Sequence, residues 1–201
     1  MTAHRGNRHG RSEEARLSIL EAADDLLVER GYARLTIEGI AARAGVAKQT
    51  IYRWWPSKTD VLLEAFTTDA REALSPPDTG ELGTDLRLHL RGLATFLTEH
   101  DAGAVFRALH GEAQHDATLA ARLRAEHLSR QRELDRAPLE RAVTRGDLPA
   151  GLDLDLLVDT LVGPIYYRVL VTGDPVGAEF TDRLVDEALR GLHSAGPREA
   201  E

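Results

Sequence analysis

The sequence of 201 residues contains no cysteine, which excludes disulfide bridges, thiolate metal sites and cysteine nucleophiles and fits a reducing compartment. No run of about 18 apolar residues occurs, so we expect no membrane span. The first ten residues, MTAHRGNRHG, contain no apolar stretch, so we also expect no signal peptide and a cytoplasmic protein. Aromatic residues make up only 5% of the chain, but hydrophobic residues reach 42%, which is enough to bury a core.

Charge is distributed unevenly along the chain. Residues 1–60 carry ten Lys and Arg against eight Asp and Glu, a balance of +2, whereas the remaining 141 residues carry fifteen against twenty-five, a balance of −10. An acidic protein repels a polyanion, but a basic end on an acidic body can orient the molecule toward DNA. A solvated surface with no partner explains the same charges equally well.

Apolar residues recur at helical spacing along most of the chain, and no alternating run of strand length interrupts them. These patterns predict an all-α protein of about nine helices. The Pro- and Gly-containing stretch 75–80 is the clearest break. We therefore divide the chain into a disordered basic arm at 1–11, a first domain at 12–75, a larger helical domain at 76–193 and a flexible tail at 194–201.

The first domain contains a predicted helix-turn-helix. Thr36 is a plausible cap for a short helix that ends at Gly45, and a tight turn leads to a second helix over Ala47–Trp55, which Pro56 stops. Two short helices joined by a Gly-containing turn are typical of DNA-binding proteins, in which the second helix enters the major groove. A small helical hairpin with a polar face is the alternative.

The second helix of this motif has two chemically different faces. At about 100° per residue, Ile51 and Trp55 point into the core. Gln49, Tyr52 and Arg53 point outward. Gln pairs with adenine, Arg or Lys pairs with guanine, and a Tyr hydroxyl binds phosphate, so the outer face suits DNA.

The stretch 35–58, LTIEGIAARAGVAKQTIYRWWPSK, resembles the DNA-binding domain of the TetR family of transcriptional regulators. The resemblance is close over about residues 12–66 and implies a three-helix helix-turn-helix domain followed by a helical regulatory domain. It further implies a homodimeric repressor that binds a small molecule and thereby changes the spacing of its two reading helices. The residues implied or predicted to contact DNA are Thr36, Ile37, Ala47, Lys48, Gln49, Thr50, Tyr52, Arg53, Trp54 and Lys58.

Two positions depart from the family pattern. Glu38 stands where the family sometimes has a base-reading Arg, and its carboxylate is expected to repel phosphate. Trp54 stands where a smaller polar residue or His is frequent, which leaves the indole N–H for a phosphate contact. Both departures affect the expected base preference rather than DNA binding itself.

The second domain is expected to form the dimer and hold the effector. Helices predicted at 154–171 and 178–192 carry more apolar surface than one small core needs, and the first should be buried on nearly all sides. The resemblance implies that these last two helices form the homodimer interface; a monomer that buries both is the alternative. An apolar effector with an aromatic or anionic group is expected at Phe96, Phe106, Arg107, His110, Tyr166 and Tyr167.

Enzymatic readings have little support. Glu112 and His115 form one E-x-x-H, half of a di-iron motif, and the sequence contains no second copy. No H-E-x-x-H, G-x-S-x-G, P-loop or G-x-G-x-x-G occurs, so we expect a non-enzyme without metal or cofactor. Two alternatives remain open: an effector-independent DNA-binding repressor, and a helical small-molecule-binding protein without a DNA function.

Overall fold

The computed structural model describes residues 7–194, with side chains described for 12–192. Within this range the secondary structure is helical and contains no strand, which confirms the predicted all-α class. A short 3-10 turn at Tyr32–Arg34 follows the first helix. The first four helices are α1 (Asn7–Arg30), α2 (Ile37–Arg43), α3 (Lys48–Tyr52) and α4 (Lys58–Ala73).

Five further helices complete the nine that lie within residues 7–194. Two of them contain a π-helical turn. The helices are α5 (Leu82–Thr98), α6 (Asp101–Ala113), α7 (Ala117–Leu123, a π turn at Arg124–Leu128, then Ser129–Arg145), α8 (Leu154–Tyr167, then a π turn at Arg168–Thr172) and α9 (Ala178–Ser194).

The chain forms two compact units. The first comprises the described residues up to Asp69 together with Asp101–Ala120, and the second comprises Ala70–His100 with the described residues from Ala121 onward. The segment that carries α6 therefore belongs to the same unit as the helix-turn-helix, although it follows α5 in the sequence. The functional boundary between 75 and 76 stays a prediction.

The core of the first unit is built from α1, α2, α4 and α6. Helix α1 packs against α2 and α6, and α2 packs against α3. Ile19, Ile40 and Leu62 are fully buried. The rings of Phe66 in α4 and Phe106 in α6 lie 5.7 Å apart, within the range of favourable aromatic pairs, so α6 is part of this core.

The second unit is a bundle in which α9 packs against α5 and α8, and α7 packs against α5 and α8. The leucines that mark the inner face of α5 in the sequence are buried as predicted: Leu86, Leu90, Leu93 and Leu97. Pro138 lies inside α7 without ending the helix, although its missing N–H leaves one helical hydrogen bond unmade.

Two predicted boundaries are corrected. Helix α1 begins at Asn7, so the arm predicted to be disordered is helical from that residue on; residues 1–6, like 195–201 of the predicted tail, lie outside the described range. Gly10 lies within these added turns of α1. A single glycine costs only about 1 kcal/mol in a helix, so it does not stop a helix whose later residues pack against the core. Helix α3 ends at Tyr52, because the Ile51 carbonyl accepts from both the Trp54 and Trp55 amides and closes the last turn.

The prediction that helix 154–171 is buried on nearly all sides is wrong for the single chain. Leu156 and Val171 are 63% and 69% exposed, and Tyr167 and Leu170 are also exposed. Only one face of α8, which includes Val158 and Ile165, is buried against the rest of its unit.

Candidate functional site

The turn between α2 and α3 sets the two short helices against each other. The Thr36 hydroxyl accepts a hydrogen bond from the Gly39 amide at 3.1 Å and so caps α2. Gly45 has a φ of 66°, a left-handed conformation that glycine adopts without steric cost. The Val46 amide then donates to the Ala41 carbonyl at 3.0 Å. This is the geometry of a helix-turn-helix.

Helix α3 turns one face inward and the other outward, as the sequence predicts. Ile51 is fully buried, and Trp55, just beyond the helix, is 3% exposed. Gln49 and Arg53 are exposed, and Tyr52 exposes 53% of its surface. A buried anchor beneath an exposed polar face is what a helix needs in order to enter the major groove.

The base of α3 is held by a carboxylate in α4. The Trp55 indole Nε1 donates to Glu64 Oε2 at 2.5 Å, and Arg16 Nε in α1 donates to Glu64 Oε1 at 2.7 Å. Glu64 therefore links the end of the reading helix to two longer helices of the same unit.

All ten residues predicted to contact DNA lie in the first unit. Ile37 is buried, so its side chain belongs to the core and a DNA contact there has to come from the backbone. DNA contact by the others stays a prediction, supported by exposure. The exposed residues are Thr36, Ala47, Lys48, Gln49, Tyr52 and Arg53, and the half-buried ones are Thr50, Trp54 and Lys58.

Lys58 is turned toward the protein. Its Nζ donates to the carbonyl oxygens of Tyr32 at 2.7 Å and Leu35 at 3.0 Å, and lies 4.0 Å from the centroid of the Tyr32 ring. An ammonium group has three N–H donors, so one remains for a phosphate. The side chain also holds the 3-10 turn against α4, a role that the sequence pattern does not reveal.

Trp54 packs on its neighbours in the chain. Its ring meets the Trp55 ring edge-on, with centroids 5.4 Å apart, and the Arg53 guanidinium lies 4.7 Å from its centroid. A guanidinium over an indole face is a favourable arrangement. The Trp54 indole therefore packs against the guanidinium of the exposed Arg53.

Glu38, expected to repel phosphate, has a partner inside the protein. Lys48 Nζ donates to Glu38 Oε1 at 2.7 Å. This hydrogen bond lowers the pKa of Glu38 and raises the pKa of Lys48, so both stay charged at neutral pH. The negative charge is therefore compensated by an adjacent positive one.

The residues predicted to bind the effector divide between the two units. Phe106, Arg107 and His110 lie in α6 of the first unit. Phe106 is buried, its ring centroid is 3.9 Å from that of His110, and His110 Nδ1 donates to the Phe106 carbonyl at 2.9 Å. Burial lowers the pKa of His110, so its ring is neutral at pH 7.

The other three lie in the second unit. Phe96 is buried, Tyr166 is half-buried and Tyr167 is 57% exposed. Burial, and then the charge of Asp135, raise the pKa of Tyr166, so its hydroxyl stays protonated at physiological pH. The effector role of all six residues stays a prediction.

Sequence reasoning missed a buried polar cluster in the second unit. His89 Nε2 donates to Asp135 Oδ1 at 2.8 Å, and Gln131 Nε2 donates to the same oxygen at 2.8 Å. All three side chains are buried. The signal in the sequence was His89 on the leucine face of α5, together with Gln131 and Asp135, which lie four residues apart on α7.

The second unit also contains a cleft of 380 Å³. Its lining residues are Gly80, Glu81, Leu82, Gly83, Asp147, Leu148, Pro149, Leu189 and Leu192. Among the residues that the structure describes, no group of His, Asp or Glu is arranged to hold a metal ion, and no helix is long and apolar enough to cross a membrane.

Two family models match the chain. Residues 19–65 match the model described as bacterial regulatory proteins, tetR family, and residues 76–188 match the tetracyclin repressor-like, C-terminal domain. The uncharacterized HTH-type transcriptional regulator YdeS of Bacillus subtilis is 37% identical, over 94% of this chain and 96% of its own. The DNA-binding transcriptional repressor TetR of Mycobacteroides abscessus is 31% identical, over 94% of this chain and 98% of its own.

Solved structures share the fold. The TetR family transcription regulator SCO0332 is 36% identical with a TM-score of 0.75, and the match covers 89% of this chain and 98% of that one. The regulator FadR from Bacillus subtilis in complex with stearoyl-CoA has a TM-score of 0.73 at 21% identity, covering 88% and 99% of the two chains; at that identity the likeness shows the fold alone. Family models, relatives and the helix-turn-helix agree, and the chain belongs to the TetR family of transcriptional regulators.

Proposed function

We propose that this TetR-family regulator is a homodimeric repressor, acting in the cytoplasm, that binds an operator through α2 and α3 and leaves it when a small molecule binds. The observation that carries the DNA-binding role is the exposed face of Lys48, Gln49 and Tyr52 above the buried Ile51 and Trp55. These side chains supply the donors and acceptors that read base edges and bind phosphates. The family membership supports a regulator rather than an enzyme.

Fluorescence anisotropy with DNA from upstream of the protein's own gene tests this role. Binding should weaken steeply as salt rises, because phosphate contacts release counterions. Gln49→Ala should change sequence preference, whereas Tyr52→Ala, which removes a phosphate contact, should weaken all sequences alike. Arg130→Ala, an exposed cation in α7, is the matched control and should bind as the native protein does. If neither upstream DNA nor a random-sequence selection yields binding, the DNA-binding role is wrong.

The exposed face of α8 supports the dimer. Leu156, Tyr167, Leu170 and Val171 are large apolar side chains left uncovered in the single chain. The four side chains belong to one helix, and exposed apolar surface of this kind is typical of an interaction site. On α9 a half-buried row at four-residue spacing accompanies them, namely Phe180, Leu184 and Ala188. A second copy that places its own α8 and α9 on these rows would cover both.

Light scattering tests the dimer. The native chain of 22.1 kDa should scatter at twice that mass at micromolar concentration, and Leu156→Glu should shift it toward the monomer. Leu17→Glu places the same charge on an exposed leucine of α1 and should leave the mass unchanged. A monomeric native protein would refute the proposal.

We propose that the effector binds in the second unit, at the predicted residues Phe96, Tyr166 and Tyr167 and beside that unit's buried polar groups. Polar side chains buried among apolar helices can orient a mainly apolar ligand. The 380 Å³ cleft has a volume within the range of small-molecule pockets. The rings of Phe96 and Tyr166 favour an apolar effector with an aromatic group. None of the six predicted residues lines the cleft, and its charged lining residues, Glu81 and Asp147, disfavour an anionic ligand there.

A thermal-shift panel tests the effector role. It should include aromatic acids, fatty acids and stearoyl-CoA, the ligand of the FadR complex. A ligand at 100 times its dissociation constant stabilises the folded protein by about 2.7 kcal/mol, which raises the melting temperature measurably. The same ligand should release DNA. If no compound does either while DNA binding is intact, the effector-independent repressor is the better description.

A further inference from the structure

The Glu38–Lys48 ion pair spans the two helices of the helix-turn-helix on their exposed side. The side chains are 59% and 50% exposed, and the bonded atoms are 2.7 Å apart. An ion pair with this exposure contributes little to stability. The pair therefore adds little to the stability of the fold, and both side chains are accessible to a partner.

Lys48 stands at the position of a base-reading group, and its hydrogen bond holds the Glu38 carboxylate beside it. Lys48 is the first residue of α3, and Glu38 is the second residue of α2. The N-terminal residues of the second helix in such motifs contact base edges. Ala47 and Gln49, on either side of Lys48, are exposed as well, so no side chain of these neighbours is packed into the core.

The pair holds a donor and an acceptor side by side. Of the three N–H donors of Lys48, one is given to Glu38 and two remain. The carboxylate of Glu38 keeps further acceptor capacity, because each of its oxygens has two lone pairs.

This arrangement complements a G·C base pair. In the major groove guanine presents the acceptors N7 and O6 next to the N4 amino donor of cytosine. Two Lys48 donors match the two guanine acceptors, and Glu38 matches the cytosine amino group. An A·T pair instead separates its two acceptors by the adenine amino group and adds the thymine methyl.

We propose that Glu38 and Lys48 read one G·C base pair in each half-site as a unit, with Lys48 donating to guanine and Glu38 accepting from cytosine. This inference rests on the DNA-binding role proposed above. It makes Glu38 a specificity-determining residue, in contrast to a carboxylate that only weakens phosphate contacts.

Random-sequence DNA selection followed by anisotropy on single-base variants of the enriched operator tests the proposal. The proteins are the native chain, Glu38→Ala, Lys48→Ala and the double variant. Glu38→Ala should reduce discrimination at one base pair per half-site by roughly 5- to 150-fold. The double variant should lose no more discrimination than whichever single variant loses more, because the two residues act together.

Glu29→Ala is the matched control. Glu29 is an exposed carboxylate of the same unit, paired with Arg43 at 2.7 Å, so its removal changes the net charge equally. It should leave base preference intact.

If Glu38→Ala and Glu29→Ala both strengthen binding to all sequences by the same factor, the Glu38 carboxylate acts through charge alone and the proposal is overturned. Independent effects of the two single variants on discrimination would also overturn it. If the native protein enriches no sequence, the DNA-binding role itself is wrong, and this assignment falls with it.

Discussion

Asp24 lies in α1 with its Oδ1 atom buried and without a hydrogen-bond partner among the described residues. Burial is the largest cause that raises its pKa, from 3.8 to about 8, and the nearby carboxylates of Asp69, Asp101 and Asp25 act in the same direction. At pH 7 the folded protein therefore retains the Asp24 proton, whereas the unfolded chain has released it.

This difference makes stability fall as pH rises. Between about pH 4, where the unfolded carboxyl titrates, and about pH 8, where the folded one does, the folded state binds one more proton. The free energy of unfolding then decreases by about 1.4 kcal/mol per pH unit, or about 3 kcal/mol between pH 5 and pH 7. Above about pH 8 this contribution is constant, since both states are ionised.

Asp24→Asn removes the titration while keeping the shape of the side chain. We expect the stability of the variant relative to the native protein to rise by about 3 kcal/mol from pH 5 to pH 7. Urea unfolding followed by circular dichroism at pH 5, 6 and 7, at equal protein concentration, measures this difference. Any effect of the amide on the free energy of unfolding that does not depend on pH is the same at pH 5, 6 and 7. The informative quantity is therefore the slope, against pH, of the stability difference between the variant and the native protein.

Glu21→Gln is the control for this experiment. Glu21 is an exposed carboxylate of the same helix, and its substitution should change stability by no more than about 0.5 kcal/mol. A difference between Asp24→Asn and the native protein that stays flat from pH 5 to pH 7 would refute the reasoning, since it would mean that folding does not change the protonation of Asp24.

Three further changes test individual contacts. Lys58→Met removes two hydrogen bonds to backbone carbonyls. It should lower the free energy of unfolding in urea by about 1–3 kcal/mol and weaken binding to every DNA sequence. Unchanged stability would mean that Lys58 acts only through its phosphate contact. Thr36→Ala should cost about 1 kcal/mol through loss of the α2 cap, and Thr36→Ser should recover most of it; equal losses in thermal melts would mean that the cap contributes nothing. His89→Leu removes one of the hydrogen bonds that Asp135 accepts and should cost about 1–3 kcal/mol; no coupling in a double-mutant cycle with Asp135→Asn would contradict this.

Local patterns in the sequence were sufficient for the helix-turn-helix. Thr36 as a cap, Gly45 as the turn, and the inward positions of Ile51 and Trp55 follow from rules that act within a few residues. Helical periodicity in the same way predicts the buried leucines of α5. The start of α1 could not be read so well, because the energetic difference between a frayed and a formed first turn is small.

Contacts between residues far apart in the sequence required the tertiary structure. Arg16 meets Glu64 across 48 positions, and His89 meets Asp135 across 46. No periodicity encodes which of many charged residues becomes a partner, since that depends on how whole helices pack. The sequence alone therefore determined the helical class, the reading motif and the family. The packing of distant helices decided that Lys58 faces inward and that α6 belongs to the unit that contains the helix-turn-helix.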